Sequence, residues 1–204
     1  MSPGRLRVIK QEIRSIGIDD GKFVPHSKSA VPVVGVVFRG DNWLEGVIST
    51  YVTVDGLDST ANIIAMIKSS QHYKQLRIIM LNGITMGGFN VVDIKSLNTE
   101  TNLPVIAVTS RKPDLIQVYS ALQNLSNSEV RWNTVLKAGE IFPVTIRNSL
   151  SGKKEVYVEI AGIDKEKAIE ILRLTSIRSK IPEPLRVAHL VASGISLNST
   201  PRCN

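Results

Sequence analysis

The sequence predicts an α/β fold, a mixed sheet with helices on both faces, and three observations carry the prediction. Of 204 residues, 43% are hydrophobic and only 5% aromatic, so the interior is built from Ile, Val and Leu, residues that suit buried strands. Near the N-terminus, β-branched runs are separated by short polar links, the mark of antiparallel pairing. Beyond them, short apolar runs alternate with stretches of helical period, as in strand–helix–strand units.

Taken in order, residues 15–19 (S-I-G-I-D) alternate apolar with small or polar residues and form a short strand, closed by Asp20-Gly21 as a turn. Residues 31–39 and 43–54 are two more strands, and the link Gly40-Asp41-Asn42 makes them a hairpin. Asp58-Ser59-Thr60 offers an N-cap to a helix through Gln71, with Ile63, Ile64, Met66 and Ile67 as its apolar stripe. Residues 76–81 form a short buried strand, which runs through Asn82-Gly83 into a glycine-containing loop. A helix over 91–97, a strand over 103–109 and an amphipathic helix over 113–125 follow. Past Ser126 the pattern is less regular: strands are expected at 134–136, 141–146 and 155–160. Asp164 caps a helix to Thr175, Pro182 and Pro184 precede a short helix at 185–192, and residues 193–204 form a loose tail. This order, in one domain spanning 1–204, fits a ribonuclease H-like arrangement, which periodicity alone does not separate from other mixed α/β folds.

Composition excludes several classes. A single cysteine, Cys203, rules out a disulfide scaffold and a multi-cysteine metal site. His26, His72 and His189 lack the spacing of a zinc helix; His189, on an apolar helix, reads as a packed or capping residue. The longest apolar stretch is broken by Pro32 and too short to span a bilayer, and no apolar segment follows Arg5, Arg7, Lys10 and Arg14 as in a signal peptide. A soluble cytoplasmic protein with no membrane partner is expected. The formal charge of +7, with basic residues grouped near 5–14, 111–112 and 173–186, favours a polyanionic partner such as DNA or RNA.

The candidate chemistry lies at strand ends. Asp19 or Asp20 ends the first strand, Asp55 or Asp58 follows the third, and Asn82 follows the fourth. Ligands of open α/β sheets gather outside the carboxyl ends of parallel strands. Oxygen ligands converging there suit Mg²⁺, with Mn²⁺ as substitute, and metal-assisted phosphodiester hydrolysis. Each residue also has a plain structural use: Asp before Gly makes turns, Asp58 caps a helix, and Asn82-Gly83 is a turn pair. Asp19 is the hardest to explain this way, because a strand interior disfavours an unpaired carboxylate. In the loop, Gly83, Thr85, Gly87, Gly88, Phe89 and Asn90 combine close backbone approach with an aromatic ring that can stack on a base. Arg111 and Lys112, just past the next strand, can hold a phosphate.

The segments 16–23 (I-G-I-D-D-G-K-F), 35–40 (G-V-V-F-R-G), 54–60 (V-D-G-L-D-S-T), 79–94 (I-M-L-N-G-I-T-M-G-G-F-N-V-V-D-I) and 182–190 (P-E-P-L-R-V-A-H-L) resemble an archaeal family distantly related to endonuclease V. The resemblance implies a ribonuclease H-like fold and a nuclease that cuts DNA or RNA near deaminated adenine with carboxylate-held Mg²⁺. By that resemblance Asp19 matches the first-strand Asp. Asp58, with Asp55 as alternative, matches the acidic residue opening the first helix, and Arg111 or Lys112 the basic residue after the next strand. The strand-ending Asp-Gly falls on Asn82-Gly83, so an amide replaces an expected carboxylate, and the aromatic-proline wedge has no counterpart, Tyr51 being the nearest aromatic. Three function classes follow: a Mg²⁺-dependent endonuclease for inosine-type or structured nucleic acid, a catalytically impaired nucleic-acid-binding module, and a structural or protein-partner role in which the basic charge is incidental.

Overall fold

The computed structural model describes residues 9–148 and 152–198. Arg5, Arg7, Cys203 and residues 199–204 of the expected tail lie outside them. The chain opens with β1 (Arg14–Asp20), β2 (Ala30–Arg39) and β3 (Trp43–Thr53), a meander of antiparallel strands. Then come α1 (Ser59–Ser69), β4 (Ile78–Leu81), the two-residue strands β5 (Thr85–Met86) and β6 (Asn90–Val91), α2 (Ile94–Thr101) and β7 (Val105–Thr109). The remainder comprises α3 (Leu115–Leu122), α4 (Ser128–Ala138), β8 (Phe142–Asn148), β9 (Gly152–Ala161), α5 (Lys165–Thr175) and α6 (Glu183–Asn198).

One seven-stranded sheet runs in the order β3-β2-β1-β4-β7-β9-β8. β1, β4 and β7 are parallel; the other pairings are antiparallel. The central strands are buried on both sides and therefore almost wholly apolar, as in β4 (I-I-M-L). Ile63, Met66 and Ile67 of α1 and Ile94 and Leu97 of α2 cover one face through Ile16, Ile18, Ile79, Leu81 and Ala107. Leu172 of α5 and Leu185 of α6 pack on the opposite face against Ile78, Met80, Ile106 and Val108. No helix among the described residues is long and apolar enough to cross a membrane.

Four local expectations are corrected. Residues 134–136 belong to helix α4, whose buried residues are Arg131, Val135 and Ala138; an arginine on the inward stripe hides the helical period. The segment expected to open a helix at Val91 instead closes the β5–β6 hairpin. Gly87 and Gly88 take positive φ (57° and 86°) at its turn, and Asp93 caps α2 by accepting from Ser96 N–H. The strand expected over 155–160 is longer, Gly152–Ala161, and pairs directly with β7. Finally, α6 continues to Asn198 instead of ending at Ala192.

Candidate active site

Because β1, β4 and β7 run parallel and β3 points the same way through two antiparallel steps, the ends of all four strands share one edge of the sheet. There Asp19, Asp55, Asp58, Asn82, Arg111 and Lys112 gather. Strand alternation decides which face each side chain serves. On β1, Ile16 and Ile18 enter the core under α1 and α2, and Asp20 follows on that side. Gly17 and Asp19 face α6; a Cβ on Gly17 would lie 2.3 Å from the Pro184 carbonyl carbon, so only glycine lets α6 approach this closely.

Asp19 is 2% exposed. Its Oδ1 accepts from Asp20 N–H at 2.9 Å, and its Oδ2 lies 3.0 Å from Asn82 Nδ2 and 2.8 Å from His189 Nδ1. Burial, reinforced by the neighbouring Asp20 charge, pushes its carboxyl up to about 6, against the hydrogen bonds from Asn82 and His189. Asn82 is exposed, and the His189 side chain is 61% exposed. The cluster is thus a buried carboxylate roofed by an amide and an imidazole open to solvent. A neutral His189 that donates Nδ1–H to Asp19 presents Nε2 as an acceptor on the other side of its ring.

Asp58 is not part of this cluster. Its carboxylate accepts from Thr53 N–H at 3.1 Å and 3.2 Å, from Thr53 Oγ1 at 2.9 Å, and from Asn90 Nδ2. Those bonds hold it below the ordinary carboxylate range despite its burial. It precedes α1 but makes no side-chain cap bond to that helix; it locks the turn after β3. Asp55, at φ 51°, accepts from Phe89 N–H at 2.9 Å and meets His26 at 3.3 Å. Asp20 accepts from Gly87 N–H at 2.8 Å.

These bonds also correct the reading of the loop. The N–H groups of Gly83, Gly87 and Phe89 are spent on Val108 O, Asp20 and Asp55, so these three are not open to a phosphate. Asn90 is fully buried and joins Ser59 N–H, Thr53 O and Asp58. Phe89 packs beside Trp132 and Val118, and Thr85 and Gly88 are half-buried. Arg111 and Lys112 are exposed. Arg131, 2% exposed, fastens the whole arrangement by donating to the carbonyls of Asp55, Gly56, Phe89 and Ser126.

Among the described residues, no three His, Cys, Asp or Glu side chains form a ready-made metal cage. A divalent ion fits the Asp19 cluster as an open site. Asp19 supplies one carboxylate, Asn82 Oδ1 and the His189 ring are further donor groups, and Mg²⁺-type ions commonly take one or two carboxylates and keep water or phosphate elsewhere. The imidazole suits Mn²⁺ better than Mg²⁺.

Residues 11–196 match the family described as Endonuclease dU. The chain belongs to that family. A UPF0215 protein of Methanothermobacter thermautotrophicus is 47% identical over 201 residues, covering 98% of this chain and 96% of the relative. Among solved structures, a protein of unknown function from Archaeoglobus fulgidus superposes with TM-score 0.79 at 39% identity, over 90% of this chain and 98% of that one. Endonuclease V of Ciona intestinalis, in complex with DNA containing an inosine, superposes with TM-score 0.58 at 15% identity, over 91% and 86%. This endonuclease dU family member therefore has the ribonuclease H-like fold of endonuclease V. Of its cluster, sequence reasoning singled out Asp19 and Asn82 but set His189 aside, since nothing in the spacing brings a residue 170 positions away onto the first strand.

Proposed function

We propose that this chain is a divalent-metal-assisted nuclease of endonuclease V type that hydrolyses phosphodiester bonds beside a deaminated base in DNA or RNA. The observation that carries the reading is the Asp19–Asn82–His189 cluster, a buried carboxylate under two solvent-facing donors at an edge that also bears Arg111 and Lys112. Bound there, a divalent ion would polarise the phosphate and lower the pKa of an attacking water. Asp19 supplies the anionic ligand. His189, its Nδ1 held by Asp19, would offer Nε2 to the ion as its nitrogen ligand. Arg111 and Lys112 neutralise the backbone that carries the scissile bond.

Two bases are the first to test: deoxyuridine, from the dU of the family's name, and inosine, from the endonuclease V complex. A second reading, a binding module with impaired cleavage, is favoured by one observation: position 82 offers an amide where a carboxylate would bring charge. Purified protein is incubated with Mn²⁺ or Mg²⁺ and labelled oligonucleotides carrying deoxyuridine, inosine or no lesion. The expected result is lesion-dependent cleavage, faster with Mn²⁺, abolished in Asp19→Asn and raised about tenfold or more in Asn82→Asp. Cleavage by Asn82→Asp alone supports the impaired module; intact substrate with both proteins, or cleavage by Asp19→Asn at the wild-type rate, overturns the nuclease reading.

A further inference from the structure

β3 is the last strand on its side of the sheet, and no strand among the described residues pairs with its outer edge. Val54 N–H donates inward to Ser29 O, whereas Thr53 N–H is held by Asp58 and Tyr51 O by Asn62 Nδ2. Odd-numbered residues of this stretch therefore turn their backbone groups outward. At one end Asp58 closes the edge at Thr53. At the other, the pairing breaks in a bulge where Gly46 opposes Val37 and Leu44 opposes Phe38, leaving Glu45 extra. Between these stops, Val47 and Ser49 present both N–H and C=O.

The stretch between these stops, residues 46–52 (G-V-I-S-T-Y-V), holds no charge and no proline, the features that usually protect an edge, and Tyr51 O, which accepts from Asn62, keeps its second lone pair for a partner strand. Val47 is 47% exposed, Tyr51 59% and nearby Leu44 51%. The register sets Val47 and Ser49 beside Val36 and Val34, which α6 covers, with Val187 and Val191 at the margin of the same cluster. The exposed apolar surface thus continues from strand to helix.

We propose that two copies of this chain pair antiparallel through the β3 edge, about a two-fold axis at Ser49. The bulge and the Asp58 clasp bound the edge so that Ser49 is the centre of its outward-facing Val47, Ser49 and Tyr51. Pairing about it sets Val47 against the partner's Tyr51 and the two Ser49 hydroxyls against each other, a self-complementary pattern of β-branched, aromatic and hydrogen-bonding pairs. Of the two acids that bound the edge, Glu45 is bridged within its own chain by Arg14 and Arg39, and Asp58 is spent on Thr53 and Asn90. The two sheets become one, with the candidate active-site edges at opposite ends, so the proposal does not depend on either site being able to cleave.

Light scattering on the eluting full chain is expected to give twice the mass of one chain. Ser49→Lys sets two cations against each other at the axis while staying solvent-exposed in the single chain; it should halve the mass and leave the unfolding temperature of the monomer intact. Ser49→Cys with Cys203→Ser should cross-link on oxidation, because directly opposed residues of a hydrogen-bonded pair have Cα atoms about 5.5 Å apart, within disulfide reach, and this arm decides should the lysine variant fail to fold. A single-chain mass at about 100 μM, a dimer that survives Ser49→Lys, or a dimer that Ser49→Cys does not trap would overturn the proposal.

Discussion

Glu159 offers a direct measure of how strongly this sheet tolerates a buried charge. It sits in β9 opposite Ala107 of β7, is 5% exposed, and has no hydrogen-bond or ion-pair partner among the described residues. Burial alone pushes its carboxyl up from 4.5 to about 7. At about 1.4 kcal/mol per pH unit, that rise means the ionised form costs the fold about 3 kcal/mol. The sign follows from linkage. Between pH 4.5 and 7 the folded chain keeps a proton that the unfolded chain has lost, so stability falls as pH rises, and above 7 the full cost is expressed. Glu159→Gln keeps the shape and removes the charge. The variant is expected to be about 2–3 kcal/mol more stable than wild type at pH 8, the amide's own desolvation taking back part of the gain, with no advantage at pH 4.5. Urea unfolding followed by circular dichroism across pH 4.5–8 gives the difference. Asp19 titrates in an overlapping window but is common to both proteins and largely cancels. Equal stabilities at pH 8 would refute the reasoning and require an undetected cation beside Glu159.

Two further outcomes are expected. Arg131→Ala removes four bonds to backbone carbonyls and should cost about 3–5 kcal/mol in urea unfolding, with faster hydrogen exchange over residues 83–90; Arg131→Lys, which cannot fan across four acceptors, should recover less than half. Replacing both Arg111 and Lys112 by alanine should weaken binding to a single-stranded oligonucleotide and reduce the slope of log affinity against log salt by about 1–2, one phosphate contact each. An unchanged slope would remove them from the interface.

What the sequence made legible follows physical lines. The β1–β3 meander was readable because each strand is bounded by polar turn residues, and β4 and β7 because strands covered on both faces are apolar throughout. Asp19 stood out for a physical reason, a carboxylate inside a strand, and that is where the buried cluster lies. The reading failed where tertiary bonds override local pattern. Arg131 disguised α4 because its charge is satisfied only by carbonyls distant in sequence. Asn90 and Phe89 looked available because glycines around them suggest an open loop, yet Asn90 is buried against Asp58 and Asp55 takes the Phe89 N–H. Asp58 was expected to turn toward a metal or cap α1, and instead reaches back to Thr53, a choice made by the turn geometry after β3.

The amide at position 82 bears on both stability and chemistry. Its Nδ2 donates to Asp19 at 3.0 Å, so it stabilises the very anion that Asp20 and burial disfavour. A carboxylate there would remove that donor and set a like charge in its place. Because residue 82 faces solvent, screening reduces the repulsion to about 1–2 kcal/mol. Asn82→Asp should therefore melt several degrees below wild type in a chelator, and Mn²⁺, by satisfying both carboxylates, should restore the loss and raise the melting temperature of the variant more than that of wild type. Calorimetry with chelator and with saturating Mn²⁺ separates the two effects. Equal melting of both proteins under both conditions would mean that residue 82 does not share an ion with Asp19. In the expected outcome the Asn82 amide holds the cluster together without an ion at a cost in metal affinity, so in the cleavage assay wild type with Mg²⁺ should be the weakest of the four combinations of wild type or Asn82→Asp with Mg²⁺ or Mn²⁺.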